Sequence, residues 1–265
     1  MRRVLLRPTA PTDLEAVAGL WESAFHDPAA LVRALLTAGG LLGRGMAAVV
    51  DGAPVSVMFA FPGLDLGGRS AAYLYALCTR PDLRGQGLGS RVLEALTVRC
   101  FDGGADLVFL SPADAGLERW YREIQGLAAL GGVSDVPLTL PAGAPGLCES
   151  VSAADYLRVR GGVTGSLLQA QAMLLEAEGG GLFRLTLSAG TALACVQPTP
   201  RGLLVLELLC SPETRAEALQ TLAAYFSAKR LLLRAPGREF PLLYRSRDGT
   251  AVTLPPDFCF PFLMD

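Results

Sequence analysis

The feature that most constrains this chain is the hexapeptide Arg84-Gly85-Gln86-Gly87-Leu88-Gly89, set between the apolar run Ala71 to Cys78 and a segment in which Leu88, Val92, Leu93 and Leu96 recur at helical spacing. Such a chain turns sharply from a strand into a helix. A helix N-terminus leaves backbone N–H groups unpaired and carries the positive end of the helix dipole, so it suits an anion such as a pyrophosphate. Glycine lets the backbone approach a phosphate closely and take up positive φ. Arg84 adds a fixed positive charge. A Walker loop requires Lys after its last Gly, where this chain has Ser90, and its only lysine is Lys229. A dinucleotide fingerprint requires G-x-G-x-x-G inside an N-terminal βαβ unit, whereas the spacing here is G-x-G-x-G. Both of those phosphate-binding readings fail on spacing.

With 265 residues, 51% of them hydrophobic, the chain can bury one large core or two moderate ones. A net charge of -2 argues against general affinity for nucleic acid, which needs a clustered basic face. The six cysteines, Cys78, Cys100, Cys148, Cys195, Cys210 and Cys259, form no C-x-x-C pair, so neither zinc nor a disulfide framework is expected. The apolar run after Arg2-Arg3 is too short for a signal peptide, and no stretch is long enough to span a membrane. These features lead to the expectation of a cytoplasmic protein without membrane or nucleic-acid partners.

Along the chain, Val4 to Leu6 reads as a strand and Thr12-Asp13 as the cap of a helix carrying Leu14, Val17, Leu20, Trp21 and Phe25. A second helix is expected over Pro28 to Leu36. Strands Met46 to Val50 and Pro54 to Phe61 flank Asp51-Gly52, a hairpin dipeptide. After the glycine loop and its helix, Asp106 to Leu110 returns to strand, and Leu117, Trp120, Tyr121 and Ile124 mark a short helix. Gly131 to Gly146, rich in Gly and Pro, breaks the pattern, so domains are expected over residues 1–147 and 148–265. The second half reads as a copy: a hairpin over Phe183 to Leu187 and Ala192 to Gln197, a strand Leu203 to Cys210, a helix Thr214 to Phe226 and a strand Leu231 to Arg234. Pro81-Asp82-Leu83-Arg84 and Leu88 align with Pro212-Glu213-Thr214-Arg215 and Leu219, yet Ala216, Ala218 and Gln220 replace every loop glycine.

Arg84-x-x-Gly87-x-Gly89, preceded by Pro81 and by a strand ending Leu77-Cys78, resembles the acetyl-CoA motif of the GNAT superfamily of N-acetyltransferases, and the element order over residues 1–130 is similar to that family's. The resemblance implies an α/β fold, a GNAT-like mixed twisted sheet flanked by helices, followed by a degenerate GNAT-like domain. It implies acetyl-CoA bound by Arg84, Gly85, Gln86, Gly87, Leu88, Gly89 and Ser90, with main-chain contacts from Ala76, Leu77 and Cys78. It also implies direct acetyl transfer to a small-molecule amine without a metal, with Tyr121 as the general acid that protonates the departing sulfur. Family members commonly carry Gly-Phe four and five residues after that tyrosine; this chain has Gln125 and Gly126 there. That departure keeps a second expectation open, a non-catalytic CoA-binding or regulatory module.

The general base stays open among His26, Glu22, Glu118 and the carboxylate of Asp265, a terminal group that certain tandem relatives of the enhanced-intracellular-survival type place in the active site. A second cofactor is not expected, because the altered loop puts methyl groups and Glu217 where phosphate oxygens would sit. The second half is expected to support the first by packing, by walling the acceptor pocket or by a homodimer contact.

Overall fold

The structure is a computed structural model that describes residues 3–255 and 258–263. Its chain forms two compact units, the first running to Leu130 and including Leu242–Leu254, the second comprising Gly131–Pro241 and the described part of the tail. The expected cut between residues 147 and 148 differs from this division, because the stretch read as an irregular boundary contains a strand. Val133 and Asp135 there are buried while their neighbours Ser134 and Val136 are not, and the segment pairs in register with a later strand. Gly and Pro content hides that alternation from a composition argument.

The first unit runs β1 (Val4–Pro8), α1 (Leu14–Phe25), α2 (Ala29–Leu36), β2 (Gly45–Val50), β3 (Ala53–Leu66), β4 (Arg69–Thr79), α3 (Leu88–Asp102), β5 (Leu107–Leu110) and α4 (Ala115–Arg119), then a single π-helical turn over Trp120–Ile124. The second runs β6 (Ala128–Leu138), β7 (Leu147–Ser150), α5 (Ala153–Arg160), α6 (Gly165–Ala177), β8 (Gly181–Leu187), β9 (Gly190–Thr199), β10 (Gly202–Leu209), α7 (Arg215–Tyr225) and β11 (Leu231–Pro236), and the chain then makes β12 (Phe240–Ser246). Strand order in the first unit is β1-β2-β3-β4-β5-β12 and in the second β7-β8-β9-β10-β11-β6. In each unit the first four strands are antiparallel neighbours, the fourth and fifth are parallel, and the sixth is antiparallel to the fifth. The two patterns are the same, but the last strand is exchanged: β12 follows the second half of the chain and lies mostly in the first unit, while β6 follows the first half and lies mostly in the second.

Local chemistry accounts for the turns. Asp51 (φ 51°) and Gly52 (φ 84°) both adopt the left-handed conformation that a tight β2–β3 hairpin demands. Asp13 stands at the N-cap of α1, yet its carboxylate makes no cap bond to that helix. It accepts two hydrogen bonds from Arg7, at 2.6 and 2.8 Å, and one from the Ala10 N–H, so it ties β1 to the turn before α1.

Sheet alternation sends β-strand side chains to two opposite faces. On one face, Ala48, Met58, Ala60, Ala72 and Leu74 pack with Val92, Leu93 and Leu96 of α3. Each fully buried Val, Leu or Met side chain there contributes roughly 1.5–3 kcal/mol. The other face is aromatic: Trp21 of α1 meets Phe59 and Tyr75, and Phe61, Tyr73 and Phe109 continue the layer.

Candidate functional site

The glycine loop sits where β4 parts from β5. Parallel pairing of these strands ends at Tyr73–Phe109, and β5 itself ends at Leu110, whereas β4 continues to Thr79. Between the pairs Phe59–Tyr75 and Val57–Cys78, β4 carries one more residue than β3, which makes a β-bulge. Ala76 occupies that bulge at φ 55°. A non-glycine residue in this conformation costs about 1–2 kcal/mol, and bulges re-aim the groups they carry. The Cys78 carbonyl accepts from Ser56 Oγ at 3.1 Å, so this carbonyl faces β3 and not the cleft. Its thiol is pushed up to about 12 by burial, which keeps it a neutral apolar group.

The three glycines meet two different demands. Gly85 and Gly87 both lie at φ 74°, and an added Cβ at either would meet nothing within 4 Å, so backbone conformation alone demands glycine there. Gly87 is the N-cap of α3. Gly89 lies within the first turn of the helix, where a Cβ would make ordinary contacts with Thr79 and Leu77 at 3.6 and 3.7 Å. Nothing within the protein itself therefore excludes a Cβ at Gly89. The Arg91 N–H donates to the Gly87 carbonyl, which leaves the N–H groups of Leu88, Gly89 and Ser90 as the unpaired donors of the helix start. Arg84 is exposed, and its Nε donates to the Thr79 carbonyl at 3.1 Å, which holds the guanidinium against the end of β4. This cradle of free N–H groups, glycines in αL and an anchored arginine fits a pyrophosphate.

Tyr121 lies in the π-helical turn, is 6% exposed, and belongs to the same apolar cluster as Leu88, Leu110 and Leu77. Its hydroxyl makes no hydrogen bond among the described residues. Burial pushes its phenol above the ordinary range, so the group stays protonated throughout the neutral range and can donate a proton. π-turns are rare and recur at functional sites; here the turn replaces the regular helix that the apolar spacing of residues 117–124 predicts.

The base candidates are not gathered at one point. His26 closes α1 in the αL conformation at φ 61° and is exposed. Glu22, on the preceding turn, lies 3.8 Å from Arg33. Both ride on α1, which packs against the aromatic face of the sheet, opposite α3. Glu118 pairs with Arg122 at 3.3 Å beside an open pocket of about 710 Å³ on the α4 side. Asp265 lies outside the described residues. The expected set therefore divides: the structure joins Tyr121 to the glycine-loop helix and leaves His26 and Glu22 on the other sheet face. Two elements at the site gave no sequence signal, the Ala76 bulge and β12; a positive φ at alanine has no compositional mark.

The corresponding place in the second unit is closed by charge. Parallel pairing of β10 and β11 ends at Val205–Leu233, and a bulge follows before Glu207. The Glu207 carboxylate accepts from Tyr156 OH at 2.9 Å and from Arg160 Nε at 3.0 Å, and the Arg160 guanidinium stacks on Phe262 of the tail, 5.0 Å from the ring centre. No residue from Arg215 to Gln220 has positive φ. Glu217, at the position of Gln86, accepts from the N–H and hydroxyl of Ser188. Its carboxylate therefore pins α7 to the β8–β9 turn rather than pointing into an empty phosphate site.

Comparison with known proteins agrees with this geometry. Residues 9–127 match the Acetyltransferase (GNAT) family profile. No match was found among curated proteins. Among solved structures, the fold is similar to a GCN5-related N-acetyltransferase from Kribbella flavida (19% identity, TM-score 0.67, 93% of this chain and 72% of that one). It is also similar to a probable N-acyltransferase from Enterococcus faecalis V583 (14%, TM-score 0.70, 93% and 73%) and to Eis1 from Mycobacterium abscessus (15%, TM-score 0.59, 92% and 73%). At these identities the likeness is one of fold. The stretch from residue 9 to residue 127, a little under half of the chain, contains the glycine loop, α3 and Tyr121, so the likeness to the acetyltransferase (GNAT) family falls on the unit that carries the candidate site and supports an acyltransferase.

Proposed function

We propose that the protein transfers the acetyl group directly to a small-molecule amine within a ternary complex. The observation that carries this reading is the alignment of three parts in one unit: the α3 N-terminus capped by Gly87, the split between β4 and β5, and the buried phenol of Tyr121 in the cluster that contains Leu88 and Leu77. Bound acetyl-CoA supplies a thioester whose C–S bond breaks as the amine nitrogen forms the new C–N bond. In this reading the N–H groups of Leu88, Gly89 and Ser90, with Gly85, Gln86 and Arg84, hold the pyrophosphate, and main-chain groups of β4 at Ala76 and Leu77 line the arm. The ammonium loses one proton to a base before attack and the nitrogen loses a second to solvent as the amide forms, while Tyr121 gives its proton to the leaving sulfur and regains one from solvent. Positioned acids of this kind contribute about 10² to 10⁴-fold.

We further read the chain as a duplication in which one copy kept the cofactor site. The shared strand pattern supports this, and so does the Glu207–Arg160–Tyr156 network filling the second cleft. The six cysteines are free thiols, which supports a reducing, cytoplasmic setting. Titration calorimetry with CoA tests the reading directly. One site per chain is expected, and Arg84→Glu with Gly87→Glu abolishes it. Two sites per chain, or binding that survives the double substitution, overturns the proposal.

A further inference from the structure

Gln125, which stands where a glycine is common in the resembled family, is the centre of a polar bridge. Its Nε2 donates to Ser90 Oγ at 2.8 Å, which joins the end of the π-turn to the first turn of α3. Its own carbonyl accepts from Arg245 Nη2. The same guanidinium, through Nη1, meets Glu94 Oε2 at 2.6 Å, one turn further along α3. Arg245 belongs to β12 and sits opposite Val108 of β5, with Leu243 of the same strand in the core cluster that holds Tyr121. Three elements are thereby closed into a ring: the helix whose N-terminus cradles the anion, the turn that carries the acid, and the exchanged strand.

Two backbone bonds show what the bridge holds. The Gln125 N–H donates to the Trp120 carbonyl at 3.1 Å, and the Leu127 N–H donates to the Tyr121 carbonyl at 3.0 Å. They close the chain around Tyr121 immediately before the Ala128 strand begins. A cation at a helix C-terminus satisfies terminal carbonyls and complements the helix dipole, and a guanidinium serves two acceptors at once in a way that an ammonium does not. The Glu94 contact alone is worth little, because that carboxylate is 60% exposed. The Gln125 contact is partly buried and fixes a main-chain atom.

We infer that Arg245 and Gln125 are positioning residues that hold the Tyr121 turn in register with α3, so that the second half of the chain governs acid placement through β12. The inference rests on the acetyltransferase reading for its kinetic consequence but not for its structural one. Hydrogen exchange on the unliganded full-length protein tests the structural part. In Arg245→Met, which keeps the stem and loses the charge, amides in residues 120–127 exchange at least tenfold faster, while those of β2 and β3 are unchanged. Gln125→Ala reproduces the effect with β12 intact. Unchanged exchange in residues 120–127 in both variants overturns the brace, whatever the enzyme does.

The kinetic part is read against an amine panel. Arg245→Met lowers kcat about tenfold, with KM for acetyl-CoA and Kd for CoA moving less than threefold, and Arg245→Lys restores only part of the loss. In a Tyr121→Phe background the Arg245→Met substitution has no further effect on kcat, because its action passes through the phenol. Full additivity of the two substitutions refutes positioning through Tyr121 and leaves Arg245 a structural residue. A Tyr121→Phe protein as active as the parent strikes at the assigned acid instead, and the exchange experiment still decides the brace.

Discussion

Substituting alanine separately at Gly87 and Gly89 should move stability and cofactor affinity in ways that only one of the two sites shares. Gly87 lies at φ 74° with open space around its absent Cβ. Gly87→Ala therefore costs the conformational penalty alone, about 1–2 kcal/mol. At about 2–4 °C of melting temperature per kcal/mol for a chain of this size, the loss is about 2–8 °C. Gly89 has an ordinary helical backbone, and the nearest atoms to a new methyl stand at 3.6 and 3.7 Å. Gly89→Ala removes backbone entropy from the unfolded chain and gains about 0.4–1 kcal/mol, or about 1–4 °C. In the proposed cofactor site the same methyl stands where the backbone meets a phosphate. The charge-assisted hydrogen bonds it displaces are worth roughly 1.5–3 kcal/mol, so affinity for CoA falls about 10- to 150-fold. Gly89→Ala thus becomes more stable and binds worse. Differential scanning fluorimetry without ligand and calorimetry with CoA read the two quantities on one sample. A Gly89→Ala protein that binds CoA like the parent would falsify the placement of the phosphates at this helix start, and a lower melting temperature would refute the steric account.

Other substitutions test other parts of the chain. Arg234 and Asp135 form a bidentate pair in the second unit with side chains 3% and 7% exposed. Asp135→Ala strands a buried guanidinium and costs about 3–5 kcal/mol in urea denaturation, whereas Arg234→Met with Asp135→Leu recovers most of that; equal losses would contradict it. Arg7 holds the Asp13 carboxyl below the usual carboxylate range. The stability this adds is complete above pH about 4 and is lost as pH falls through the lowered folded value, so Asp13→Asn flattens the acid limb of a stability profile. Tyr121 has the opposite sense, since burial raises its phenol. Its contribution is complete below pH about 10 and falls by about 1.4 kcal/mol per pH unit above that until the raised folded value is passed. Tyr121→Phe removes that alkaline loss while cutting kcat about 10²-fold or more, and a variant that retains both the loss and the activity would count against the assigned role.

What was legible in the amino-acid sequence was whatever local chemistry enforces. The strand, glycine loop and helix from Ala71 to Leu96 are visible because apolar period, αL glycines and a helix start all fall within one short window. Asp51-Gly52 announces its hairpin in the same way, since only a few residue pairs tolerate two positive φ values. The family resemblance of Arg84-x-x-Gly87-x-Gly89 added the expectation of an acetyl-CoA cosubstrate and of an acid at Tyr121. Gly131 to Leu138 misled, because its glycines and Pro137 suggest a break while the partner that makes it a strand, Leu231–Pro236, lies about a hundred residues away.

Tertiary structure alone decided how the two halves share strands. Parallel and exchanged pairings depend on contacts between distant residues, and nothing local to Phe240–Ser246 records that its neighbour is β5. The same holds for the bulge at Ala76, which arises from register against β3, and for Arg245, whose bond to Gln125 spans 120 positions. A loop that binds an anion is built from adjacent residues and can be read from them. The placement of Tyr121 beside it depends on which strands pair, and pairing is a property of the folded whole.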